Sequence, residues 1–177
     1  MRRVLLRSRP LAAPLALLIV LAVLAPSAVA MVAARPPIVV QASIRGVALG
    51  MTPAEVRDAL GAPTASAVTP NPIIGKVRIW RYPGLRIMFD SVKAGRTVLS
   101  VTSTSKADRT AAGVGVGARE ADVQRSIPAV RCATRYGYRS CTVGGGKPGQ
   151  IVTDFSISDA GRVTRVTLSR VIDGEGL

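Results

Sequence analysis

The sequence predicts an α+β protein of two tandem repeats, each a helix followed by a three-stranded antiparallel meander, with the helices packed on one face of the sheet. Three observations predict it. Residues 46–63, GVALGMTPAEVRDALGAP, read as a short helix with clear start and stop signals. Short runs of alternating apolar and polar residues follow, separated by turns rich in Gly and Pro. The pattern then restarts: Gly113-Val114-Gly115-Val116-Gly117 echoes Gly46-Val47-Ala48-Leu49-Gly50 at an offset of 67 residues.

Residues 1–30 read as a secretory signal. Arg2, Arg3, Arg7 and Arg9 form the basic start, an apolar run follows from Leu11 to Ala25, and Ala28-Val29-Ala30 is an A-x-A cleavage site. The alternative is an uncleaved membrane anchor, because apolar character continues to Ala34. No Cys lies near the cleavage site, so no lipoprotein anchor is expected. Arg2-Arg3-Val4-Leu5-Leu6-Arg7 resembles a twin-arginine signal, whereas the strongly apolar run points to the general secretory route. Residues 31–42, with Arg35-Pro36-Pro37, read as an extended leader. Ile38-Val39-Val40 is its one candidate for a strand or a docked segment.

The first repeat is expected over residues 43–105. Thr52 suits the N-cap, Pro53 the first helical position and Glu55 the reciprocal place in a capping box. Met51 and Val56 occupy the staple positions around the box. Gly61 and Pro63 end the helix. Residues 64–76 contain Pro70, Pro72 and Gly75 and read as a loop, with Ile73 and Ile74 as an apolar pair on it. Three strands are then expected at 77–82, 85–90 and 97–103, joined by Pro83-Gly84 and by Lys93-Ala94-Gly95-Arg96.

The second repeat is expected over 106–177. Ala121 and Val123 fall on Ala54 and Val56 at the offset of 67, and Val163-x-x-Val166-Thr167 falls on Val98-x-x-Val101-Thr102 at 65. Its strands are expected at 140–143, 151–158 and 163–171. Arg119 stands where the first helix has its N-cap Thr, a loss of about 1 kcal/mol. Cys132 and Cys141 are the only cysteines, and a pair in an exported chain reads as a disulfide. Between them, Arg135, Tyr136, Tyr138 and Arg139 stand on a stapled loop. Arg and Tyr are the residue types that anchor interfaces. Residues 144–149, GGGKPG, resemble a phosphate-binding loop in composition alone. They lack the Walker spacing and a following helix, and read as a flexible hairpin connection.

Gly50-Met51-Thr52, Glu55-Val56, Leu60-Gly61 and Pro63 resemble the GMT-x-x-E/Q-V…L-G-x-P motif of the SmpA/OmlA (BamE-like) and β-lactamase inhibitory protein (BLIP)-like families. Those families share a unit of helices followed by antiparallel strands, single in SmpA/OmlA proteins and tandem in the inhibitory proteins. The resemblance implies an inhibitor or envelope assembly factor that binds a protein partner. Inhibitory proteins also carry cysteine pairs in places similar to Cys132 and Cys141.

The chain has 24 Lys and Arg against 10 Asp and Glu, for a net charge of +14. Four arginines lie in residues 1–30, so the remainder carries 20 − 10, or +10. Such a chain suits anionic envelope polymers, lipid head groups or acidic proteins. The basic residues are dispersed along the sequence, which also fits a solvated surface. Nucleic acid is not expected as a partner, because the route is export and no binding motif occurs. The chain has no His, and its Cys spacing fits no zinc pattern, so no metal or other cofactor is expected.

No nucleophile with a base and no paired carboxylates can be found, so no catalysis is expected. The expected function is an exported protein-interaction module that binds through the outer sheet face and loops. Arg135, Tyr136, Tyr138, Arg139, Trp80, Tyr82, Ile73 and Ile74 are the candidate contacts. The alternative is a basic structural protein of the envelope that binds anionic cell-surface polymer. A membrane enters only if residues 1–30 stay uncleaved.

Overall fold

The computed structural model describes residues 38–72, 74–90 and 96–171. The signal or anchor segment, the leader up to residue 37, Ile73 and the connection Lys93-Ala94-Gly95 lie outside the described residues. No described helix is long and apolar enough to cross a membrane.

The chain enters through a small hairpin, β1 (Ser43–Ile44) and β2 (Val47–Ala48), then helix α1 (Pro53–Leu60). Four strands follow: β3 (Ala65–Asn71), β4 (Gly75–Tyr82), β5 (Leu85–Phe89) and β6 (Val98–Ser103). Helix α2 (Glu120–Ser126) precedes β7 (Arg131–Arg135), β8 (Tyr138–Val143), β9 (Ile151–Ile157) and β10 (Val163–Arg170). β3 to β10 form one antiparallel eight-stranded sheet in the order β3-β4-β5-β6-β10-β9-β8-β7.

This corrects the expected fold class. The protein is mostly β, with one large sheet, a two-stranded sheet and two short helices, rather than two helix-plus-three-strand repeats. β3 and β7 are the strands that the sequence concealed. They are the two edges of the sheet, with a strand neighbour on one side only among the described residues. Every residue of β3 but Asn71 is exposed, so it lacks the alternation that marks a half-buried strand. Its Pro70 is tolerated because an edge strand needs a ladder on one side only.

Helix α1 forms as its signals dictate. Thr52 is the N-cap, its hydroxyl accepts from the Glu55 amide, and the Glu55 carboxylate accepts from the Thr52 amide at 2.7 Å. The Thr52 amide foremost, and then the Thr52 hydroxyl, which donates to the same carboxylate at 2.8 Å, hold the Glu55 carboxyl below its ordinary value. Arg119 caps α2 with no side-chain bond. The N-cap amide neighbour, Glu120 N–H, is instead satisfied by the Gly161 carbonyl at 2.9 Å.

Side chains directly opposite on neighbouring strands share a face. One face therefore carries the row Tyr82, Leu85, Ser103, Val166, Phe155, Cys141 and Cys132. All but Cys132 are buried, and Val56 of α1 and Val123 of α2 belong to the same apolar cluster. The adjacent row, on the other face, reads Ala65, Arg81, Arg86, Thr102, Thr167, Asp154, Thr142 and Arg131. Val77 and Ile79 on β4, and Val152 four strands away on β9, are buried residues of this outer face.

Ile38 is docked rather than extended. It is buried in the core, and its amide donates to the Arg109 carbonyl at 2.8 Å. Arg45 sits in the two-residue turn of the β1–β2 hairpin with φ 52°. Its Nε donates to both carboxylate oxygens of buried Asp108 at 2.8 Å, and Nη1 to the Pro83 carbonyl at 3.0 Å. Ser103 also donates to Asp108. One buried ion pair thus ties the entry hairpin to the β4–β5 turn and to β6.

Candidate functional site

The segment between the cysteines is a β-hairpin, not a loop. β7 and β8 pair from Arg131–Thr142 to Arg135–Tyr138, and Tyr136-Gly137 form a two-residue turn. Both turn residues have positive φ, 48° and 80°, as the twist of a tight hairpin requires. Cys132 and Cys141 stand directly opposite and are joined by a disulfide. Such a bond marks an oxidising, extracytoplasmic compartment.

Strand alternation separates the four candidate residues of this hairpin. Arg135 lies on the outer face, directly opposite Tyr138. Tyr136 is 96% exposed at the turn and Tyr138 is 75% exposed. Arg139 is on the helix-bearing face, where it is part-exposed and paired. Its guanidinium donates from Nε and Nη2 to the two oxygens of Glu120 on α2. That hydrogen bond, more than the charge, pushes the Arg139 guanidinium further up.

Trp80 and Tyr82 are also corrections. Both are buried in the core rather than exposed on a surface. Trp80 meets Phe89 edge-on at 4.7 Å, and the Arg57 guanidinium lies over its ring at 4.6 Å. Tyr82 donates its hydroxyl to the Gly61 carbonyl at 3.1 Å, closing the end of α1 onto β4. Burial pushes its phenol up, and the Arg57 charge pulls it partly back. Ile74 is half-buried after β3, with its amide bound to the Asn71 side chain at 3.1 Å. Ile73 is outside the described residues.

The structure brings together a group that sequence reasoning had not assembled. A cleft of about 500 Å³ opens on the outer face of β7 and β8. Arg131 and Arg135 flank it on β7, and Ser140 and Thr142 line its floor on β8. Residues 144–147, Gly-Gly-Gly-Lys, form the opposite wall. Among the lining residues none is acidic. Asp154 is the nearest carboxylate in register, and it is occupied by the hydroxyls of Thr142 at 2.9 Å and Ser156 at 3.1 Å.

The wall is held by its own bonds. The Lys147 amide donates to the Gln150 side chain at 3.2 Å, and the Gln150 amide to the Lys147 carbonyl at 3.1 Å. Gly149 is tied to Val171 and to the Arg170 guanidinium. Gly144 has φ 113°, and a Cβ there would meet the Ile151 carbonyl oxygen at 2.5 Å, so this corner requires glycine. The sequence signal was the composition of the loop. What it lacked was the register that sets Arg131 beside it.

Glu120, Cys132 and Cys141 have potential ligand atoms within 4.8 Å of one another. The two sulfurs are spent in the disulfide and the carboxylate is paired with Arg139, so this cluster does not suit a metal ion.

Among solved structures, the chain is similar to a cysteine-rich secretory protein from Staphylococcus aureus at 13% identity, with TM-score 0.40, over 71% of this chain and 44% of that one. It is also similar to a DUF4309 family protein from Bacillus subtilis at 16% identity, with TM-score 0.41, over 67% of this chain and 78% of that one. The chain spans less than half the length of the first of these neighbours. Neither likeness bears on function. No protein-family model and no curated protein matches the chain.

Proposed function

We propose that this is a non-enzymatic binding module of the cell envelope whose outer sheet face takes an anionic polymer. The observation that supports this reading is the charge of that face. Strand register puts Arg81, Arg86, Arg131, Arg135 and Arg165 on it, all exposed. Asp154 is the one acidic residue in the described strands. Basic residues dispersed in sequence are thus gathered on one surface by strand alternation. Arg81 and Arg86 even stand directly opposite each other, an arrangement that disfavours folding and is relieved by an anion between them.

The experiment is retention of the oxidised protein on an immobilised poly(glycerol phosphate) chain. The reading expects retention at low salt and release as salt screens the charges. Passage without retention at low salt would overturn it.

A protein partner is the second reading, favoured by Tyr136 and Tyr138 at the hairpin tip. A large ring held at positive φ and left 96% exposed is a local conflict of the kind found at contact sites. Tyr136→Asn keeps a residue suited to the turn and removes the ring. Loss of a salt-resistant protein partner in that variant would favour this reading over the first.

A further inference from the structure

We propose that the cleft between the β7–β8 hairpin and residues 144–147 is a binding site for a phosphoryl group. This inference rests on the anionic-polymer reading and names the group recognised. The donors suit a tetrahedral oxyanion approached from two sides. Arg131 supplies a guanidinium from the strand, and Lys147 an ammonium from the facing wall. Neither side chain forms an ion pair among the described residues. Ser140 lines the cleft with them, and its hydroxyl has no hydrogen-bond partner among the described residues.

The backbone adds to this. Gly145 and Gly146 line the cleft, and their amides have no acceptor among the described residues. Backbone amides beside cations are the usual cradle of phosphate, and guanidinium matches its oxygens in pairs. A phosphoryl group offers three acceptor oxygens to this set of donors, and a carboxylate only two. The cleft of about 500 Å³ lies in the range of small-molecule sites, so it holds an esterified unit as well as the phosphoryl group.

The disulfide fixes the site's geometry. Arg131 precedes Cys132, and Thr142 follows Cys141, so the cross-link holds the pair of strands from which Arg131 and Ser140 project. The opposite wall is fixed by the Lys147–Gln150 bonds and by the glycine-only corner at Gly144. The backbone that carries the donors therefore loses little freedom when the anion arrives.

The test is an amide NMR titration of the oxidised protein with inorganic phosphate, with glycerol 1-phosphate and with glycerol as the uncharged control. The expected result is that both phosphates shift the amides of Gly145, Gly146 and Lys147 together with those of Ser140 and Thr142, while glycerol does not. Arg131→Gln and Lys147→Gln, both exposed changes, should each weaken the titration about tenfold, the loss of one charge-assisted hydrogen bond. Competition by a short poly(glycerol phosphate) fragment assigns the group to a polymer. Binding of the phosphate esters without such competition assigns it to free esters. If neither phosphate shifts these amides, or if both variants titrate like the parent, the inference is overturned. Should the polymer then still be retained through Arg81, Arg86 and Arg165, the broader reading survives without the cleft. Failure of retention as well would remove both.

Discussion

Arg81 and Arg86 stand directly opposite each other on β4 and β5, both exposed on the outer face. Two like charges in that relation disfavour the folded state by about 0.2–1 kcal/mol. Arg86→Thr should therefore raise the urea midpoint while weakening retention on an anionic polymer. Opposite signs for stability and binding are expected where a surface is kept for function. A variant that loses stability and keeps full retention would contradict this assignment.

Arg45 and Asp108 form a buried ion pair, and Nη2 of Arg45 has no hydrogen-bond partner among the described residues. Breaking a buried pair leaves one charge uncompensated, at a cost of about 3–5 kcal/mol. Asp108→Asn should lower stability by that order, read as a shift in urea midpoint at constant slope. The variant Arg45→Met with Asp108→Leu should be much less damaged, because no charge is stranded. Equal losses in the single and double variants would show that packing, not charge, dominates there.

The Cys132–Cys141 bridge closes a short loop, with a sequence separation of 9. The chain-entropy model assigns about 2–3 kcal/mol to a loop of this size. Cys132→Ala with Cys141→Ala should lose stability of that order. Anion affinity should fall with it, because Arg131 and Arg135 lie on the strand that the bridge pins. Unchanged affinity in a folded double variant would separate the disulfide from the site.

Glu55 gives the fold an acid-sensitive component. The Thr52 amide and hydroxyl hold its folded-state pKa below the ordinary value of 4.5. Folding thus favours the carboxylate, so the contribution is fully present above the unfolded-state value. It is lost as pH falls through the folded-state value. Stability curves of the parent and Glu55→Ala should diverge above that window and approach one another below it. A gap that is constant with pH would place the effect in helix propensity rather than in the cap.

Local signals were legible in the sequence and long-range pairing was not. Thr52, Pro53 and Glu55 specify α1 because a capping box closes within one turn of chain. Leu85, Ile87 and Phe89 specify β5 because one of its faces is buried. β3 could not be read this way, since an exposed edge strand has no apolar period and contains Pro70. Cys132 and Cys141 announced their bond but not the strand pairing that makes Tyr136-Gly137 a tight turn. Arg139 looked like its neighbour Arg135 in sequence. Which of them faces α2 depends on the register of β8 against β9, which no local pattern specifies. The cleft depends on the same register, through Arg131 opposite Thr142.

The most direct measurement is the affinity of the oxidised protein for soluble poly(glycerol phosphate), compared with an Arg81→Gln/Arg86→Gln/Arg165→Gln variant at low and at high salt. These side chains are exposed on the outer face, so their change leaves the core intact. The account predicts binding that weakens steeply with salt in the parent and is clearly weakened in the variant at low salt, the cleft of Arg131 and Lys147 being left intact. Parent and variant binding equally well, or neither binding at low salt, would contradict it.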